Sequence, residues 1–325
     1  MPTLYLTEQG AVLRKEGRRL IVEKDGERLL DVPLIKLESV LIYGNVQFST
    51  QTLSTLLGAG IETSFLAMDG RLKGQLVPPK AKNVVLRMAQ YDRAHDPAFC
   101  LRVAKAIVRR KIENAFGLVR RFNYRYPDRD FSRAYALADR ILTQLERKTR
   151  ANTVLGLEGV ATAEYFKCLS AMFIADLRFL GRNRRPPQDE VNALLSFGYV
   201  LVGNEVSSLL HAMGFDPYIG FLHHIDYGRH SLALDLLEEF RGPVVDRLVL
   251  YLANKRILQR RHFERRDGGV YLTSEGLKIF LKEYERWMTR SNKDRQCFRD
   301  ALKHQATVMA RAVREGGSYV PYRFL

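Results

Sequence analysis

The hydrophobic pattern of this chain changes period once, near Pro78-Pro79, and a chain that does so must build two different kinds of layer. Before that point, short apolar runs alternate with turn residues. "RRLIVEKDGERLLDVPL" (18–34) holds two runs around Asp25-Gly26, a tight hairpin signal. "LESVLIYGNVQFS" (37–49) and "IETSFLAMDGRLKGQLVP" (61–78) are further strand candidates, the second with its own Asp-Gly turn at Asp69-Gly70. Between them "STQTLSTLLGAG" reads as one short helix capped by Ser49 or Thr50. Pro78-Pro79 and the polar "KAKN" that follows mark a linker.

Beyond the linker the period becomes helical. "DPAFCLRVAKAIVRRKIENAFGLVRRF" opens with Asp96 as cap and Pro97 at the first helical position. Further helices are expected at about 131–148, 153–180, 188–212, 231–240, 243–258, 273–290 and 294–315. "RRDGGVY" (265–271) is a turn or small hairpin. The expected architecture is α+β: a small β-rich domain over 1–82, then a large all-α domain over 83–325.

Charge follows the same division. Residues 1–80 carry 10 Lys and Arg against 9 Asp and Glu, whereas the whole chain has 52 against 36. The remainder therefore holds 42 against 27, a net of +15. A basic excess confined to the helical part points to a polyanion, and nucleic acid fits better than a membrane surface. No lipidation motif or basic amphipathic terminus supports a membrane. The longest apolar run, "ALLSFGYVLVG" (193–203), falls short of the roughly 18 residues that span a bilayer. Cys100, Cys168 and Cys297 are odd in number and far apart, as expected of reduced thiols in the cytoplasm. No phosphate-binding glycine loop, dinucleotide fingerprint or serine nucleophile elbow occurs.

Acid is nevertheless concentrated in "GFLHHIDYGRHSLALDLLEEF" (220–240). On a helix from Ser231, Asp235, Glu238 and Glu239 fall within about 100° of one another. Ala233, Leu236, Leu237 and Phe240 lie opposite, so the expected helix is amphipathic with an acidic polar face. His223 and His224 stand just upstream. Imidazole beside carboxylates suits Mn²⁺, Fe or Zn²⁺, and Mg²⁺ when waters complete the shell. A second candidate is Glu158 in "VLGLEGVATAEYF" (154–166), flanked by Gly156 and Gly159, with Ala161, Thr162 and Tyr165 on its helical face. Glu164 lies on another face. A third is Arg182, Arg184 and Arg185, before Pro186-Pro187 at a helix start, a plausible phosphate contact. Arg109-Arg110-Lys111, Arg120-Arg121, Lys255-Arg256, Arg260-Arg261 and Arg265-Arg266 extend the basic candidates.

"GLEGVATAEYF", "RNRRPPQDEVNALLSFGY", "GFLHHIDYGRHSLALDLLEEFR" and the ending "YVPYRF" together resemble the CRISPR-associated adaptation endonuclease and integrase family, over essentially the whole chain. The resemblance implies a metal-dependent enzyme that inserts new spacer DNA into a CRISPR array. It implies Mg²⁺ or Mn²⁺ held by Glu158, His223 and Glu238, with Asp235 as a nearby acid, either supporting a ligand or orienting the nucleophile. Some relatives have aspartate at the Glu238 position, and Glu239 competes for that role. His224, Tyr165 and Ser231 are supporting candidates. Implied partners are double-stranded DNA (spacer precursor and repeat), a second copy of the chain and a small second adaptation protein. Two rival readings are a DNA-binding architectural protein and a non-haem iron oxygenase using both histidines.

Overall fold

In a computed structural model, which describes residues 3–76, 83–177, 179–183, 186–291 and 296–324, a β-rich N-terminal region precedes a mostly helical remainder. The linker at Pro78-Pro79 lies outside the described residues, as do Arg184 and Arg185.

The β-rich region holds two four-stranded sheets. One has the order β1 (Thr3–Leu6), β5 (Ser39–Tyr43), β7 (Glu62–Leu66), β8 (Leu72–Leu76). The other runs β4 (Glu27–Pro33), β3 (Arg19–Lys24), β2 (Val12–Glu16), β6 (Gln47–Phe48). Asp25 and Gly26 both take positive φ, 51° and 82°, the turn that lets β3 and β4 pair with their natural twist. "LESVLIYGNVQFS" is not one strand: it splits into β5 and β6, which join different sheets. The two sheets and helix α1 (Thr50–Gly58) share one core containing Leu6, Val40 and Ile42 from the first, Leu13, Leu20 and Val22 from the second, and Leu56. Ser49 caps α1 by accepting from Thr52 N at 3.3 Å.

The chain divides into two compact units, Met1–Lys80 with Leu272–Glu285, and Ala81–Tyr271 with Arg286–Leu325. Inside the first, Tyr5 donates to Glu285 at 2.9 Å and Lys278 pairs with Glu8 at 3.1 Å.

The second unit is built around α3 (Pro97–Arg125), which Asp96 caps through Ala98 N and Phe99 N. Around it pack α2 (Val84–Ala94), α4 (Ser132–Glu146), α5 (Ala151–Met172) and α7 (Ser231–Phe240). The helix α2 was not anticipated, because only Leu86 and Gln90 of its eleven residues are buried and its period is faint. Helix α5 stops at Met172, short of 180. Asn254 takes over there, accepting from Ile174 N and donating to Met172 O.

Helix α6 (Glu190–Met213) passes the length and composition of a membrane span, which its broken apolar run alone does not suggest. It is a core helix, packed against α7, α8 (Arg247–Asn254) and α10 (Phe298–Glu315). The helix expected over 243–258 is continuous with α7 through a π-helical stretch, Arg241–Asp246, and ends at Asn254. The wider turn accommodates Pro243, which lacks an N–H to donate. A hairpin of β9 (Phe263–Arg266) and β10 (Gly269–Leu272) is followed by helix α9 (Ser274–Thr289).

Candidate metal centre

The acidic helix face is not a solvated face. Every residue of α7 except Leu234 is buried, and its three acids look to three different partners. A helix surrounded by protein cannot leave acids on water, so each must find donors or cations.

Asp235 is fully buried and ties down the loop before the helix. Its Oδ2 accepts from Phe221 N at 2.6 Å and Leu222 N at 3.0 Å, and its Oδ1 from His223 N at 3.0 Å. Oδ1 also meets His223 Nδ1 at 2.7 Å. With Nδ1 donating to the carboxylate, Nε2 is the ring nitrogen left facing Glu238, whose Oε1 stands 3.8 Å away. Gly220 makes this packing possible: a Cβ there would sit 2.8 Å from Asp235 Oδ2 and 2.9 Å from the Ser231 backbone. Phe221 packs edge-on against Phe99 of α3, 5.2 Å between centroids. His224 is exposed, and its carbonyl accepts from Ser231 Oγ at 2.9 Å. His230 meets Ser207 Oγ at 2.8 Å.

Glu238 faces Arg241, one turn on, at 3.1 Å through Oε1, and Lys111 of α3 at 2.6 Å through Oε2. Burial pushes this carboxyl up, but Arg241, Lys111 and His223 together outweigh it and hold it down at about 2. Glu158 meets the same Lys111 ammonium through Oε1, which also accepts from Thr162 Oγ1 at 2.7 Å. Glu158 lies two turns into α5. A Cβ on Gly156 or Gly159 would meet nothing within 4 Å among the described residues. Glu158, His223 and Glu238 thus converge from α5, a loop and α7. Among the described residues no three His, Cys, Asp or Glu side chains alone enclose an ion; Lys111 stands between the two carboxylates.

Glu239 turns the other way, onto the C-terminal segment. It accepts from Tyr319 Oη, from Tyr322 N at 2.6 Å and from Gln305 Nε2 at 3.2 Å. Asn114 of α3 completes the clasp, donating to the Glu239 and Tyr322 carbonyls and accepting from Phe324 N. Burial raises the Glu239 carboxyl to about 7 against those hydrogen bonds. From its ordinary 4.5 to about 7, the folded chain keeps a proton that the unfolded chain has released. Stability therefore falls as pH rises through that window, by about 3 kcal/mol for this group. Glu239→Gln is expected to remove this component, flattening the loss between pH 5 and 7.5 in urea denaturation. Parallel curves for wild type and variant would show that Glu239 does not titrate there.

Four participants, Asp246, Tyr199, Arg241 and Lys111, are not singled out by the sequence. Asp246 is buried, with its carboxyl raised by burial against Tyr199, Tyr165 and Arg241, and it accepts from Tyr165 Oη at 2.7 Å and Tyr199 Oη at 2.5 Å. Tyr199 lies under the Arg241 guanidinium, 4.8 Å from its ring centre. Arg241 was findable as the helical neighbour three residues beyond Glu238. Lys111 was noted only as one member of a basic cluster.

Other basic candidates take partners of their own. Arg109 pairs with Glu146 and Glu113, and Arg110 with Glu113 at 2.7 Å. Arg182 donates to Asn183 O, Asn192 Oδ1 and Ser196 Oγ. Lys255 is exposed, and Arg256 stands 3.6 Å from Asp176.

Residues 4–286 match the family model described as CRISPR associated protein Cas1. The chain is 37% identical over 308 residues to a CRISPR-associated endonuclease of Rhodospirillum rubrum, covering 90% of this chain and 87% of that one. It is 34% identical over 324 residues to a CRISPR-associated endonuclease of Thermus thermophilus, covering 98% of each. A solved CAS1 protein from Thermotoga maritima superposes with a TM-score of 0.85 at 27% identity, covering 100% of both chains.

Proposed function

The chain belongs to the CRISPR-associated Cas1 family, and from that premise we propose that it is a divalent-metal-dependent DNA endonuclease and integrase. It inserts spacer DNA into a CRISPR array by attack of a 3′ hydroxyl on a phosphodiester. One observation carries this: two carboxylates and an imidazole from three separate segments meet beside Lys111 and Arg241.

The donor set fits Mg²⁺ or Mn²⁺. Glu158 and Glu238 offer hard oxygens, and His223 Nε2 offers a nitrogen whose ring is already oriented by Asp235. When bound, such an ion polarises a phosphodiester and lowers the pKa of an attacking hydroxyl. The protein's own residues prepare for it. Asp235 holds the 221–223 backbone and the imidazole tautomer, and Arg241 keeps Glu238 ionised while stacking on Tyr199. The Tyr165 and Tyr199 hydroxyls are spent on Asp246, which fixes the floor under Arg241.

The DNA path is assigned to the basic clusters at Arg109, Arg110, Arg182, Arg184, Arg185, Lys255 and Arg256. With about six to ten phosphates contacted, duplex affinity is expected to fall roughly 10³–10⁵-fold from 50 to 200 mM salt. A flat response in a fluorescence-anisotropy titration would remove the electrostatic basis of the assignment.

The β-rich region is assigned to association with a second copy. Leu29, Leu30 and Ile35 stand exposed there, more apolar surface than a solvated strand needs. A small second adaptation protein completes the assembly, and the three free cysteines suit work in the reducing cytoplasm.

The direct test offers a duplex with 3′-hydroxyl ends to a plasmid carrying a CRISPR repeat. Joined product is expected with Mg²⁺ or Mn²⁺ and none with EDTA. Tight binding without strand cleavage or joining in any metal would instead identify an architectural DNA-binding protein.

A further inference from the structure

We propose that Lys111 exchanges its ammonium between the metal centre and the DNA: it neutralises Glu158 and Glu238 while no divalent ion is bound, and turns to a backbone phosphate when one is. This rests on the metal-dependent function above and assigns a further residue to it.

The three consecutive cations of α3 behave differently. Arg109 and Arg110 turn to Glu146 and Glu113, whereas Lys111 turns inward, with only 12% of its side chain exposed. Its ammonium touches Glu158 Oε1 and lies 2.6 Å from Glu238 Oε2. That Oε2 atom is buried, and what the ammonium supplies to it across this contact is above all a positive charge. One charge can be exchanged for another.

Two carboxylates this close repel unless a cation lies between them. The ammonium supplies that cation in the metal-free chain. A divalent ion held by the same carboxylates competes for the same place, since a charge of +1 pressed against +2 is strongly unfavourable. The displaced ammonium needs a new anion within reach of its four-carbon stem. A mostly apolar cavity adjoins it, lined by Lys111, Ile112, Phe116, Ala161, Tyr165 and Arg241 among others, with room for about one water-sized group such as an ammonium. The anion that arrives with the reaction is the DNA phosphate. Lysine suits this exchange because its point charge is mobile on a flexible stem, unlike the planar fork of arginine.

The test uses Lys111→Met, which keeps an apolar stem and removes the charge. Without DNA, Mn²⁺ titrated by electron paramagnetic resonance is expected to bind the variant about tenfold more tightly than wild type, one order of magnitude for a lost competitor. On an uncleavable duplex, the salt slope of the variant is expected to be lower by about one than that of wild type with Mn²⁺, and equal to it in EDTA. Equal Mn²⁺ affinities, with Glu158→Gln still abolishing Mn²⁺ binding, would overturn the exchange and leave the metal centre standing. No Mn²⁺ bound by either protein would overturn both. If Lys111→Met fails to fold, the ¹⁵N resonance of the Lys111 ammonium in wild type decides, assigned by its loss in Lys111→Arg. It is expected to move on saturation with Mg²⁺, and an unmoved resonance would overturn the exchange.

Discussion

Glu158→Gln, His223→Ala and Glu238→Gln are each expected to lower metal-dependent strand cleavage and joining by about 10³-fold or more while leaving duplex affinity unchanged or raised. A bound divalent ion contributes several kcal/mol of charge stabilisation to phosphoryl transfer, and about 4 kcal/mol corresponds to that factor. DNA affinity is largely spared because all but about one of the phosphate contacts lie on cations elsewhere, and loss of an acid lessens repulsion of the backbone. Glu239→Gln is the internal comparison, since Glu239 faces Tyr319 and Tyr322 rather than Lys111. Its joining rate is expected within a few-fold of wild type. A dead Glu239→Gln beside an active Glu238→Gln would reverse the assignment of the third ligand. Full activity in all three primary variants would move the reaction away from this centre.

Asp235→Asn is expected to be the most damaging conservative change for stability. The carboxylate is fully buried and takes three backbone N–H groups and one imidazole nitrogen. An amide of the same shape must set its own NH₂ against one of these donors. Leaving buried donors unpaired costs about 3 kcal/mol in total. At roughly 2–4 °C per kcal/mol for a unit of this size, Tm is expected to drop by about 6–12 °C. Joining is expected to fall about 10–100-fold at a temperature where the variant is folded, the usual cost of loosening a residue that orients a metal ligand. Both effects are checked by thermal unfolding followed by circular dichroism and by the plasmid-joining assay. An unchanged Tm would mean that the 221–223 loop is held by something other than Asp235.

The two predictions differ in how early their residues were legible. His223 and Glu238 stand out as imidazole and acid in a basic, apolar context, whereas Glu158 is singled out by the family resemblance, which implies all three as ligands. The acidic face of α7 misled, because periodicity places Asp235, Glu238 and Glu239 on one side without saying whether water or protein covers it. Covered by protein, they separate: Asp235 to a loop, Glu238 to two cations, Glu239 to the C-terminal segment. Nor does periodicity tell that Leu272–Glu285 groups with the β-rich unit, since an apolar stripe does not name the surface it packs against.

By itself the sequence determined what is local: the β-first, α-second order, the Asp25-Gly26 hairpin, the Asp96-Pro97 helix start and the confinement of positive charge to the helical part. Turn chemistry, capping and helical period act over a few residues and need no partner. Only the tertiary structure decided the rest. Lys111 reaches Glu158 across 47 positions, and Asn114 reaches the Glu239 carbonyl across 125. A buried charge takes the partner that packing brings to it, and packing is chosen by the apolar faces of whole helices rather than by the charged residues themselves.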